Sequence, residues 1–387
     1  MKPSRHLRLT LLAVVGGLLL NYATGIGFGQ TTTTAAKPAV KTPVTIAGSA
    51  TAPDSTPIKI IELRGDNAAI GQAHGKALAP IIKELNTKYL GQFLTSPTLR
   101  ALAGTLAMNY ESKLLPEHLA EIRALAAATS MSESDAMLDN CFLDLLPQVA
   151  CSTITLPADA APDHVARFAR NLDFGSFNIA DKNTVVLIYH PKGRFSFATI
   201  GWPGMIGAVS GMNEYGLTLS NMEVPRGPGL VAQAMPYTLL YRCVLEQCKT
   251  VAEAVKFLQV TPRQTANNLM LMDASGARAV VEITPEKITV RPGQAGVALI
   301  STNHQRGLDT DTTGKCDRYD YLNAAAHETF GKIGQLQLIG MLKHVEQTGL
   351  TMQSMIFEPT NRVVYLATGS NSAERKFLKI DLAAYFK

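Results

Sequence analysis

The sequence predicts an α+β fold in which two antiparallel sheets are sandwiched between layers of helices, and three observations carry that reading. Apolar residues recur at helical spacing as far as Leu146. Past Cys151 the pattern changes to short β-branched or aromatic runs separated by Gly, Pro or Asn turns. Helical spacing then returns twice, between further strands and ahead of a closing hairpin, an order that packs helix layers onto sheets in one domain. A chain of 387 residues that is 46% hydrophobic can bury such a core.

Taken in order, the chain opens on Lys2, Arg5 and Arg8, an apolar run from Leu9 to Leu20, and small residues at Ala23-Thr24-Gly25. Residues 1–25 therefore read as an export signal or an uncleaved anchor, with a periplasmic or extracellular destination and no other segment able to span a bilayer. Residues 26–56 are rich in Thr, Ala and Pro and read as a disordered linker. The domain is expected over 57–387. It opens with a strand at Lys59–Leu63, and Gly65-Asp66-Asn67 turns into a helix that runs to Tyr89. Helices follow over Leu99–Tyr110 and from Pro116 through Leu125, and Ser132-Glu133-Ser134-Asp135 caps one that ends at Leu146.

The strands expected next are Ser152–Leu156, Val165–Leu172, Thr184–Tyr189, Arg194–Ile200, Ile206–Ser210 and Gly216–Ser220, an antiparallel meander. Helices over Ala234–Cys248 and Val251–Leu258 precede strands at Asn268–Met272, Ala279–Ile283, Lys287–Arg291 and Val297–Ser301. Helices at Tyr321–Glu328 and Leu336–His344 lead to the hairpin Ser354–Phe357 and Arg362–Leu366. There is no internal repeat.

The formal net charge of +5 is misleading as a guide to partners. Residues 1–50 carry Lys2, Arg5, Arg8, Lys37 and Lys41 and no acid, so the body is neutral and offers nucleic acid no electrostatic footprint. Five cysteines (Cys141, Cys151, Cys243, Cys248, Cys316) leave an odd thiol in an exported chain, and Cys151 is the candidate. Cys243 and Cys248 would point about 140° apart on a helix, so they are not expected to pair with each other.

Familiar catalytic motifs are missing. Gly207-Ala208-Val209-Ser210-Gly211 has its serine one position too late for a nucleophile elbow. There is no phosphate loop, and no histidine stands at metal-ligand spacing with a carboxylate, which argues against a zinc hydrolase. No metal or cofactor is implied. Cys151 remains, and the residues alone leave two readings of it open, a small buried hydrophobe or a nucleophile.

Cys151 at a strand start, Arg170-Asn171-Leu172-Asp173-Phe174 on the next strand, Gly201-Trp202-Pro203-Gly204, Gly211-Met212-Asn213-Glu214-Tyr215-Gly216-Leu217 and Ser301-Thr302-Asn303-His304 resemble, in order and spacing, the N-terminal-nucleophile (Ntn) hydrolases. The nearest branch is that of acyl-coenzyme A:6-aminopenicillanic acid acyltransferase, with acid ceramidase and choloylglycine hydrolase as relatives. The likeness runs from about Ile60, with Gly71-Gln72-Ala73-His74-Gly75, to about Gly369.

That resemblance implies a four-layer αββα sandwich made as a precursor. Cys151 would cut the Ala150–Cys151 bond, leaving a shorter chain, 57–150, associated with a catalytic chain, 151–387. The new α-amine would then take the Cys151 thiol's proton. By the same resemblance Arg170 stabilises the thiolate, Asp173 holds the α-amine, Asn303 and then Asn221 supply oxyanion donors, and Arg318 matches an arginine that follows the Thr-Asn motif. Arg170 and Asp173, three apart, would face opposite sides of an ideal strand, so a bulge or bend at Asn171-Leu172 is required if both serve the site.

His74 and Trp202 are assigned to structure, and Tyr215 could line an acyl pocket although nothing selects it. The expected substrate is a small N-acyl amide cleaved at a non-peptide C–N bond through a Cys151 thioester, with acyl transfer as a variant outcome. The alternatives are a secreted binding or scaffold protein that keeps the fold and is never processed, and an exported protein in which Cys151 is paired with Cys141.

Overall fold

The structure, a computed structural model, describes residues 51–145, 150–224, 232–307 and 315–387. The expected export signal, nearly all of the linker and nearly all of the Gly307–Gly314 stretch lie outside the described residues. The end of the linker is not free of the fold. Thr56 N donates to Thr368 O at 3.0 Å and Ser55 Oγ to Lys376 O at 2.7 Å, so contact with the domain starts ahead of Pro57.

Four helices come first after strand β1 (Lys59–Gly65): α1 (Asn67–Glu84), α2 (Pro97–Met108), α3 (Pro116–Thr129) and α4 (Glu133–Leu145). Asp66 caps α1 by accepting the Ala69 amide at 2.8 Å, and Ser132 caps α4 by accepting that of Asp135 at 3.1 Å, as the sequence signals require. The predicted extension of α1 to Tyr89 exists, but as a π-helical turn, Leu85–Tyr89. Small residues set how closely α1 and α3 approach. A Cβ on Gly71 would fall 2.1 Å from the Glu121 carbonyl oxygen.

The remaining strands are β2 (Ser152–Leu156), β3 (Arg167–Asp173), β4 (Val185–Pro191), β5 (Phe197–Gly201), β6 (Ser210–Asn213), β7 (Thr218–Glu223), β8 (Asn267–Met272), β9 (Arg278–Ile283), β10 (Ile288–Pro292), β11 (Leu299–Ser301), β12 (Thr351–Glu358), β13 (Val363–Thr368) and β14 (Leu378–Asp381). They form an eight-stranded sheet, β1-β4-β5-β6-β7-β8-β9-β10, and a six-stranded sheet, β11-β2-β3-β12-β13-β14. The meander is confined to β4–β10, because β2 and β3 belong to the smaller sheet. The expectation of wholly antiparallel sheets fails at one edge. β1 runs parallel to β4, a pairing open to strands separated by a long crossover such as α1–α4.

Helices α1, α5 (Tyr237–Gln247) and α6 (Val251–Val260) contact the larger sheet, while α7 (Asp317–Glu328) and α8 (Gln335–His344) contact the smaller one. Because both faces of each sheet are covered, strands such as Val185-Val186-Leu187-Ile188-Tyr189 are apolar throughout. On β2, Ile154 and Leu156 pack with Leu322 and Leu342 of the helix layer. The alternate residues face the other sheet, with Thr153 Oγ1 3.1 Å from Ser220 Oγ. The arrangement is the four-layer αββα sandwich the sequence predicts.

Two strands differ most from expectation. The strand expected at Ile206–Ser210 is shifted to Ser210–Asn213, because the Ile206 and Ala208 amides are taken by Asn140 Oδ1 (2.8 Å) and Thr238 O (2.9 Å) beneath the helices. β14 is a short, half-exposed edge whose pattern is too weak to read in advance. All five cysteines are free and buried, so neither the Cys141–Cys151 pairing nor any other disulfide is formed. Among the described residues no helix is long and apolar enough to cross a membrane.

Candidate active site

Strand pairing delivers the site. β2 runs antiparallel between β3 and β11, with Thr153 opposite both Arg170 and Ser301. Continued past the end of β2, those registers set Cys151 between Leu172 and Asn303 and set Ala150 beside Asp173. Cys151 has the same strand parity as Thr153 and so faces the space between the sheets. It is buried, at 8% exposure.

Arg170 is wholly buried. Its Nη2 lies 3.2 Å from Cys151 Sγ, and its Nη1 donates to Val209 O at 2.8 Å and Ser210 Oγ at 2.7 Å. The latter two contacts lock the guanidinium against the larger sheet, and no motif in the sequence marks them. Burial nevertheless pushes the Cys151 thiol above its ordinary pKa, and the carboxylate of Asp173 pushes the same way against the pull of Arg170. In the intact chain, therefore, the arginine alone does not yield a thiolate.

The strand pairing beside Asp173 is irregular. Thr351 pairs with Asp173 and Gln353 with Leu172, so Met352 is an extra residue in β12. The bulge thus lies in the partner strand, next to Leu172, rather than in β3. Asp173 Oδ1 accepts from Thr351 Oγ1, while its buried Oδ2 has no hydrogen-bond donor among the described residues, Arg318 Nη1 standing 3.9 Å away. Burial raises the Asp173 carboxyl to about 7, against the bond from Thr351 and the charges of Arg318 and Arg170.

Arg318, at the start of α7, belongs to the cluster. Its Nη1 donates to the carbonyl of Cys151 and its Nη2 to Asn303 Oδ1 at 3.0 Å. Asn303 Nδ2 donates to Glu223 O at 2.7 Å, which among the described residues leaves one of its two amide hydrogens uncommitted. Asn221 is placed differently. It lines the cavity beside Cys151, and among the described residues only its backbone is hydrogen bonded, to Val209 O at 3.1 Å.

The thiol opens into a cavity of about 900 Å³ of non-atom space, continuous with solvent. Its apolar wall includes Leu85, Tyr89, Phe142, Phe174, Trp202 and Met205, and its polar groups include Arg170, Asp173, Asn221, Glu223 and Asp139. Tyr89 and Phe142 stack edge-on with Phe93, giving the wall a rigid aromatic backing. Trp202 lines this cavity as well as donating to Ala180 O at 2.9 Å, so its role is not only to close a core edge. His74 is structural as expected: its Nε2 accepts the Gly204 amide at 3.1 Å, and burial together with the charge of Arg242 lowers its pKa to about 3. Tyr215 lies away from the cavity, its ring packed on Phe195 at 4.8 Å with Lys249 Nζ at 4.6 Å.

Elsewhere the fold brings His118 of α3 to Cys243 and Glu246, neighbours on α5, all three buried. The Glu246 carboxylate already accepts from Arg242 Nε at 2.8 Å and lies 3.3 Å from His118 Nε2, so it serves an internal ion-pair network.

Residues 160–373, more than half of the chain, match the family model of acyl-coenzyme A:6-aminopenicillanic acid acyl-transferase. Among curated proteins the chain is 27% identical over 163 residues to the N-acylethanolamine-hydrolyzing acid amidase of Oryctolagus cuniculus, covering 40% of this chain and 44% of that protein. It is 22% identical over 283 residues to protein dcd1B of Dictyostelium discoideum, covering 65% of this chain and 56% of that protein. The match thus spans about half the length of each. Among solved structures, a variant of the conjugated bile acid hydrolase of Clostridium perfringens is 17% identical, with a TM-score of 0.47 over 60% of this chain and 93% of that one. The Caenorhabditis elegans ortholog of N-acylethanolamine-hydrolyzing acid amidase is 16% identical, with a TM-score of 0.45 over 54% of this chain and 93% of that one. On the extent of the family match, the chain belongs to the acyl-coenzyme A:6-aminopenicillanic acid acyl-transferase family.

Proposed function

We propose that the protein is a self-cleaving amidohydrolase that uses Cys151 as an N-terminal nucleophile. The observation that carries this reading is Asp173 Oδ2, a buried acceptor with no hydrogen-bond donor among the described residues, beside the Ala150–Cys151 bond. A buried carboxylate oxygen without a donor costs about 1–3 kcal/mol or more. The α-ammonium created by cutting that bond would supply the missing donor, which Arg318 Nη1, 3.9 Å away, does not.

In processing, Cys151 Sγ attacks the Ala150 carbonyl and the acyl group moves from nitrogen to sulfur. Water hydrolyses the resulting thioester, leaving the Ala150 carboxylate and a free α-amine on Cys151. That amine has an ordinary pKa of about 7.7–8.0 against about 8.5 for the thiol, so it can take the thiol's proton near neutral pH without a histidine. In turnover the thiolate attacks the substrate amide, and Asn221, whose amide is not otherwise engaged among the described residues, donates to the oxyanion. The α-ammonium returns its proton to the departing amine. Water then attacks the acyl thioester, giving the proton it loses to the α-amine and releasing the acid.

Arg170 holds the sulfur's charge, Asp173 the amine, and Arg318 with Asn303 the carbonyl of Cys151. The apolar cavity suits an acyl group, which makes the substrate a small N-acyl amide. The basic and apolar start of the chain supports export, away from cytosolic acyl-coenzyme A, and so favours water over an amine as acceptor.

The test is release of primary amine from a panel of N-acyl amino acids, N-acylethanolamines, penicillins and bile-salt conjugates. Turnover of at least one member by wild type, and none by Cys151→Ala, is the expected result. A wild-type protein that is inert towards the panel and binds its members intact would favour a scaffold that keeps the fold.

A further inference from the structure

The carboxyl of Asp139 lines the cavity and has no part in the mechanism. Asp139, on α4, stands in the helix-borne wall, whereas Cys151, Arg170 and Asp173 belong to the smaller sheet. Its Oδ1 accepts from Asn86 Nδ2 at 2.7 Å. Oδ2 has no hydrogen-bond partner among the described residues, and the residue is part-exposed to the cavity rather than sealed in the core.

The carboxylate is held in place. Asn86 takes a bond from Arg100 Nη2 at its side-chain oxygen and another from Arg100 Nη1 at its carbonyl, at 3.0 Å, while Arg100 Nη2 also reaches Asp135 Oδ1 at 2.6 Å. Asn86 lies in the π-helical turn that also presents Leu85 and Tyr89 to the cavity, and such turns are frequent at functional sites. A carboxyl that lines an apolar cavity, with one oxygen held by Asn86 and the other without a hydrogen bond among the described residues, is poorly explained by packing.

We infer that Asp139 is the specificity-determining residue of this cavity, selecting acyl groups that carry a hydrogen-bond donor, a hydroxyl or a protonated amine, away from the scissile carbonyl. The inference rests on the reading of this cavity as the acyl site. A site built to pair a substrate donor rejects the analogue that lacks one, because its own polar group is then buried unpaired. Burial raises the Asp139 carboxyl to about 7, with Asn86 and Arg100 pulling it down, and a donor at Oδ2 is what would favour its charged form.

The test uses medium-chain methyl ketones, which hold the acyl skeleton and cannot be hydrolysed. Each is prepared plain, hydroxylated at successive carbons, with an amino group in place of the hydroxyl, and as the methyl ether of the hydroxyl. Dissociation constants are measured by calorimetry at about pH 8, above the ordinary carboxyl range, on wild type, Asp139→Leu and Asp139→Asn.

At least one hydroxylated or amino ketone is expected to bind wild type roughly tenfold tighter than the plain chain, the pair telling hydroxyl from ammonium. That preference disappears in Asp139→Leu. In Asp139→Asn, an isostere whose oxygen still accepts from Asn86, the cavity gains an N–H and prefers the ether analogue instead. Equal preference across the three proteins, or no binding of any ketone by wild type, overturns the inference. Amide turnover is assayed in parallel: cleavage without the Asp139-dependent preference removes this inference alone, and the preference without cleavage removes the hydrolase reading alone.

Discussion

Asp173 sets the tone of the site at the scale of single residues. In the intact chain it keeps its proton up to about 7, whereas the unfolded chain releases it near the ordinary value of about 3.9. Between those values the folded state binds more protons than the unfolded, so stability falls as pH rises and the loss is complete above about 7. In a Cys151→Ala background, which keeps the precursor intact, Asp173→Asn is therefore expected to flatten the stability curve between about pH 4 and 7. The gain at pH 8 is on the order of a few kcal/mol at most, read from urea midpoints. A second part of the slope remains, because Asp139 titrates in the same window. The two asparagines separate in the same way. Asn221→Ala is expected to lower kcat by about 10²–10³ with processing retained, the loss typical of one oxyanion donor. Asn303→Ala instead uncouples Arg318 and the Glu223 carbonyl, and slows the appearance of the cut chains on a denaturing gel.

At the scale of elements, the glycines of the Gly71-Gln72-Ala73-His74-Gly75 run explain how α1 and α3 approach. A helix-interior Gly→Ala change ordinarily gains about 1 kcal/mol. At Gly71 the added methyl would lie 2.1 Å from the Glu121 carbonyl oxygen, so Gly71→Ala is expected to destabilise the fold by about 1–3 kcal/mol, measured by thermal or urea unfolding. This level also shows what could be read in advance. The switch from helical to strand spacing at Cys151 is a local feature and legible, whereas Arg170 and Asp173 are marked only by the resemblance to a known family. Met352, the extra residue beside the Leu172–Asp173 pairing, is not legible, because a bulge in β12 depends on strands far apart in the chain. Thr351 and Ser210, which hold Asp173 and Arg170, carry no motif and are brought in by the same long-range pairing. Asp139 reads as an ordinary polar position on a capped helix. Only the fold shows that it faces a cavity.

Across the whole molecule, charge buried between layers ties the helices ahead of Cys151 to the part of the chain beyond it. Arg242 donates to both oxygens of Glu121, at 2.9 and 2.7 Å, and to Glu246 at 2.8 Å, with its guanidinium 4.8 Å from the Tyr189 ring centroid. Arg242→Met leaves two carboxylates uncompensated and is expected to cost about 3–5 kcal/mol, visible as a lower melting temperature. Glu121 lies before Cys151 and Arg242 after it, so the pairing would also bind the two products of the proposed processing to each other. The cut chains are expected to elute as one species on size exclusion and to part only under denaturing conditions. The Ala150–Cys151 bond, cut in the proposed processing, thus stands between helices α1–α4 and strand β2. Intact-mass spectrometry of the purified, denatured protein tests that claim most directly. The account predicts two chains, the larger with the mass of residues 151–387 and Cys151 as its first residue. A single uncut chain, or a larger fragment that begins at any other residue, would contradict it.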